Sequence, residues 1–99
     1  MAIDAIVLNS ADNVATAVQE LKAGQQAAVR LERELHYVTL AEDIPYGHKF
    51  AFRTITQGQD ILKYGEVIGR ATINIEIGCH AHVQNIESLR GRGDLHKEA

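Results

Sequence analysis

The chain has 99 residues, a formal net charge of −3 and one cysteine. That length suits one domain with a modest core, a lone cysteine cannot staple a fold, and no basic run or aromatic-basic interleaving offers itself to a nucleic-acid backbone. No apolar stretch approaches the ~18 residues of a membrane helix and no basic-then-apolar start resembles a signal peptide, so the expected setting is cytoplasmic and the expected partners are small molecules or proteins.

The chain opens with Ala5-Ile-Val-Leu8, an apolar run of strand length, followed by Asn9-Ser-Ala-Asp12, which offers helix-capping side chains. Val14, Ala17, Val18 and Leu21 then fall at i, i+3, i+4 and i+7, with Gly24 where a C-terminal cap would stand. This spacing predicts one amphipathic helix over 12–23, packed on the rest of the domain through Val14, Val18 and Leu21, with Asp12 and Lys22 matching its dipole. Short strands separated by turns follow at 26–31, 37–40, 49–53, 60–63, 67–73 and 79–86, so the expected fold is mainly β, compact and bent, with that single helix.

A pattern of apolar residue, two residues, glycine, two residues, apolar residue recurs from Leu21, Ile44, Ile55 and Ile75 around Gly24, Gly47, Gly58 and Gly78. The irregular spacing rules out a solenoid; each glycine would turn the chain so that the flanking apolar groups enter one core and the pair between them stays outside. In two copies the outer pair holds a histidine. Asp43-Ile-Pro-Tyr-Gly-His-Lys-Phe50 contains the chain's one proline and reads as a tight loop, with Pro45 at the first corner, Gly47 at the second, and His48 and Lys49 emerging after it.

Three sets of residues could carry chemistry. His80 and His82, two apart, project from one face of a strand, close enough to share a metal or an anion, although surface histidine pairs are common. In Lys63-Tyr64-Gly65-Glu66, a partly buried tyrosine could sit beside a cation; a plain turn is the simpler account. His48 and Lys49 pair a group that titrates near neutrality with a fixed cation, a combination suited to holding an organic acid and moving a proton. Because the two histidine clusters begin at equivalent turns, His48, His80 and His82 are expected on one side of the domain with Lys49, favouring neutral imidazoles. From Glu87 the sequence loses apolar periodicity, and 89–99 reads as a loose tail in which His96 is solvated and Arg92-Gly93-Asp94 is a chance match to an adhesion tripeptide.

Asp12-Asn-Val-Ala-Thr-Ala17, Gly47-His-Lys-Phe-Ala51, Ile61-Leu-Lys-Tyr-Gly65, Ile68-Gly69 and Gly78-Cys-His-Ala-His-Val-Gln-Asn85 together resemble the SAF-type domain of the altronate and galactarate dehydratases, over residues 4 to 88. The resemblance implies a β-clip domain spanning 1–88, acting as the small subunit of a sugar-acid dehydratase with a separate large catalytic subunit and a small hydroxy-acid substrate; a homo-oligomer is compatible with it. Sulfolactate sulfo-lyases have a similar small subunit, so elimination of sulfite is the alternative, and a binding or assembly module without chemistry is a third reading. On this resemblance His48 and Tyr64 are assigned catalytic roles, Lys49, Lys63 and Asn85 substrate binding, and His80 and His82 metal ligation, with Fe²⁺ or Mn²⁺ ahead of Zn²⁺. Gln84 stands where the resembled motif has a third histidine, and a carboxamide is a poor metal ligand, which puts a three-histidine site in doubt.

Overall fold

The computed structural model describes residues 3–88, all of whose regular elements are strands. These are β1 (Ala5–Val7), β2 (Val14–Ala17), β3 (Gln26–Leu31), β4 (Glu34–Thr39), β5 (Lys49–Ala51), β6 (Asp60–Lys63), β7 (Glu66–Ala71), β8 (His80–Ala81) and β9 (Ile86–Ser88). They form a six-stranded sheet in the order β4-β3-β1-β2-β5-β8 and a three-stranded sheet in the order β6-β7-β9. The mainly β expectation holds. No helix among the described residues is long and apolar enough to cross a membrane, and the expected tail at 89–99 lies outside the described residues.

The helix expected over 12–23 is absent. Its first half is β2, which pairs antiparallel with β1 on one side and β5 on the other. The cause is burial on both faces: Ala15 and Ala17 enter one core with Leu21 and Phe50, while Val14 enters a second core with Ala51, Ile55 and Ile75. A strand buried on both sides shows no polar alternation, so four apolar positions acquired a helical spacing by coincidence. The β-branched residues Val14, Thr16 and Val18 at every second position suit an extended chain better. Val14 and Leu21 are buried as expected, but Val18 is not part of either core and stays exposed. Asp12, placed by the sequence at a helix start, is instead buried beneath the β6–β7 turn.

The recurrent glycine pattern is the plan of the fold. Gln25, His48, Gln59 and Cys79 each donate a backbone N–H to the carbonyl three residues earlier, and Gly24, Gly47, Gly58 and Gly78 all have φ between 83 and 89°. These are the features of type II turns with glycine at the third position. In the second turn the closing carbonyl belongs to Pro45, so Tyr46 takes the first corner that the sequence suggested for Pro45. The four preceding apolar residues, Leu21, Ile44, Ile55 and Ile75, are all fully buried and pair as Leu21 with Ile44 and Ile55 with Ile75, each pair exchanging two backbone hydrogen bonds. The side chains repeat too: Asp43 Oδ1 accepts from Ala23 N, and Asn74 Oδ1 from Gln57 N.

The described chain therefore contains two equivalent units in sequence. Each runs turn, hairpin, turn, short strand: β3 and β4 lead to β5, and β6 and β7 lead to β8. The short strands β5 and β8 pair antiparallel, with Lys49 opposite Ala81 and Phe50 opposite His80. That pairing joins the units and brings their second turns into register. The long strand expected at 79–86 is broken after Ala81, because Asn85 folds the chain into a turn before β9.

Candidate functional site

His48 leaves the Gly47 turn at the entrance to β5, and His80 opens β8, so the strand pairing sets their rings together. His48 Nδ1 lies 2.9 Å from His80 Nε2, with the rings stacked 5.1 Å apart between centroids. His82 completes the cluster, 4.5 Å from His48 and 5.6 Å from His80 between centroids. Three imidazoles from two segments 32 positions apart thus share one side of the domain.

The surrounding groups favour the uncharged forms of His80 and His82. Burial first, then His48 and His82, hold His80 below the usual imidazole range, with Glu42 opposing the shift. Burial, followed by His48 and Lys49, lowers His82 in the same way. Lys49 is half-buried, and desolvation together with the nearby Lys63 ammonium pulls its amine below the usual lysine range. A cation with no ion pair among the described residues, held beside another cation in a partly desolvated place, is poised to gain from an arriving anion. Lys63 in turn lies 5.0 Å over the ring of Tyr64, a cation–π contact.

The remaining assigned residues are distributed differently. Tyr64 sits in the β6–β7 turn beside Lys63, and no described contact joins its side chain to the imidazoles. Asn85 is buried with its amide engaged by the backbone: Oδ1 accepts from His82 N at 2.9 Å and Nδ2 donates to His80 O at 2.8 Å. It therefore fixes the His80–His82 segment from beneath. One further residue escaped the sequence reading. Glu42 Oε1 accepts the His80 backbone N–H at 2.7 Å across 38 positions, a separation no local pattern reveals. Gln84 Nε2 lies 3.0 Å from His80 Nδ1, so the residue that departs from the histidine pattern contacts the cluster.

Among the described residues no group of three His, Cys, Asp or Glu side chains is arranged to hold a metal ion. Both ring nitrogens of His80 are already engaged, one by His48 and one by Gln84. The donors among the described residues do not fit a three-ligand metal centre.

A family model described as the altronate/galactarate dehydratase SAF domain matches residues 3–89. The chain belongs to that family. Over 80 residues this SAF domain is 39% identical to altronate dehydratase of Escherichia coli, covering 81% of the chain but 15% of that protein. It is 34% identical over 94 residues to the (2R)-sulfolactate sulfo-lyase subunit alpha of Chromohalobacter salexigens, covering 91% of the chain and 99% of that subunit. Galactarate dehydratase (L-threo-forming) of Escherichia coli is 41% identical over 75 residues, covering 74% of the chain and 13% of that enzyme. The SAF domain thus spans about a sixth or less of the dehydratases it matches, and nearly all of a lyase subunit.

Proposed function

We propose that this SAF domain serves a dehydratase-type lyase, joining a larger catalytic chain to eliminate water from a hydroxy acid. The observation that carries the reading is the meeting of His48, His80 and His82 beside the cationic pair Lys49 and Lys63. Elimination β to a carboxylate needs a base for the α-proton, a cation over the carboxylate and an acid at the leaving group. His82 suits the base, since its neutral form is favoured and its ring nitrogens make no hydrogen bond among the described residues. Lys49, with Lys63 behind it, suits the carboxylate. As His82 takes the α-proton, the C–H electron pair becomes the new C=C bond, the β C–O bond breaks, and the departing hydroxyl leaves as water with a proton from His48. Tyr64 supports Lys63 through its ring, and Asn85 holds the histidine segment. No metal ion is assigned a part in these steps.

Exposed Tyr46 and Val83, which stand next to the histidine segments, offer apolar surface that a larger chain would cover. The near-complete length match to a sulfo-lyase subunit alpha supports a second reading, in which the same base and cations expel sulfite instead of water. Assay of the complex with its large chain on altronate, galactarate and sulfolactate separates the two. His48→Gln or His82→Ala should lower turnover about 100-fold or more while the complex still assembles. Unchanged turnover in the assembled variants would make the domain a binding or assembly module. The SAF domain alone should turn over none of the three acids, since its open cluster does not enclose a polyhydroxy substrate; robust activity without a partner would end the two-chain model.

A further inference from the structure

The imidazole cluster has a built-in direction. Neutral His48 and His80 can share the hydrogen bond between His48 Nδ1 and His80 Nε2 in two ways, depending on which ring supplies the proton. The other nitrogen of His80 decides between them, because it faces Gln84 Nε2 at 3.0 Å. The same amide nitrogen lies 3.5 Å from the His80 backbone carbonyl, which can only accept, so the NH₂ end of the carboxamide is the end that suits this position. That carbonyl is itself held in place: Asn85 Nδ2 donates to it at 2.8 Å, and the His80 N–H is tied to Glu42 at 2.7 Å.

We propose that Gln84 is a positioning residue that fixes the proton order of a Gln84–His80–His48 relay. Its amide N–H donates to His80 Nδ1, which must then be unprotonated, so the His80 proton sits on Nε2 and is donated to His48 Nδ1. The His48 proton is thereby kept on Nε2. His48 presents a donor and no free lone pair, which makes it an acid and not a base. The proton order stands on geometry alone; only its use, sorting His48 as the acid from His82 as the base, rests on the proposed lyase reading.

The test is long-range ¹H–¹⁵N spectroscopy of the imidazole nitrogens in the full 99-residue chain at about pH 8, above the ordinary imidazole range. In the wild type His80 Nδ1 should appear as a pyridine-type nitrogen and Nε2 as a pyrrole-type nitrogen, with His48 likewise protonated on Nε2. Gln84→Glu places an acceptor against His80 Nδ1 and should exchange the two nitrogen classes in both rings, whereas Gln84→Leu should leave a mixture of tautomers. A wild-type His80 protonated on Nδ1, or the same tautomers in wild type and Gln84→Glu, would overturn the proposal. If neither variant folds, the wild-type assignment decides by itself. None of these readouts needs turnover, so loss of the lyase reading would leave the tautomer result intact.

Discussion

Asp12 and Tyr64 are joined across 52 residues by a hydrogen bond of 2.8 Å from the Tyr64 backbone N–H to Asp12 Oδ2, and Oδ1 takes the neighbouring N–H of Gly65 at the same distance. Tyr64 has φ of +55°, a left-handed conformation unusual for a tyrosine, and the carboxylate offsets its cost by accepting two donors that the turn leaves free. Asp12→Ala should therefore destabilise the domain by about 2 to 4 kcal/mol, because two part-buried N–H groups lose their charged partner. Asp12→Asn should cost less, keeping one acceptor. Urea melts would measure both, and a loss under about 1 kcal/mol for Asp12→Ala would mean the turn holds itself.

The repeated glycine turns and the convergence of the histidines were legible in the sequence, since both depend on local chemistry that a short motif carries. Gly47 and Gly78 mark equivalent corners, and residues leaving equivalent corners meet once the adjoining strands pair. The helix was misread for the opposite reason. Val14 and Ala15 face different cores, and nothing within the segment 12–23 discloses that β1 and β5 will flank it. Glu42 and the capping role of Asp12 were invisible because their partners lie 38 and 52 positions away.

Leu21 is fully buried where the first two turns pair, although it occupies no helix. Leu21→Ala should cost about 2 to 4 kcal/mol in denaturant melts, the range for deleting a leucine side chain from a packed core. A loss below about half a kcal/mol would place Leu21 at the periphery.

The four turn glycines should not respond alike to alanine. All have positive φ, but a Cβ on Gly24 meets open space, whereas one on Gly78 runs into the Thr39 carbonyl oxygen and crowds the backbone of Leu40 and Ala41. Gly24→Ala should cost about 1 kcal/mol from conformation alone. Gly78→Ala must also displace the backbone that accepts it and should cost clearly more, visible as a lower melting temperature than that of Gly24→Ala. Equal melting temperatures would show that the contact is easily relieved.

Acid should weaken the fold through the imidazoles. His80 and His82 have native pKa values below the unfolded value, so between those values the unfolded chain binds more protons and stability rises with pH. Their destabilising effect is absent above the unfolded value of about 6.5 and grows as pH falls from there through the lowered native values. Thermal melts should show the loss, and His82→Gln should flatten the profile over that window. A wild-type profile that rises on acidification through the window would contradict the cluster's electrostatics.

His48 belongs to the first of the two equivalent units, and His80 and His82 to the second; the units meet where β5 pairs with β8. Neither half of the polypeptide holds all three imidazoles by itself. Without that pairing, His48 has no structural reason to lie beside His80 and His82. The three rings meet only at the seam, so the cluster is complete only once both units have formed and their short strands have paired.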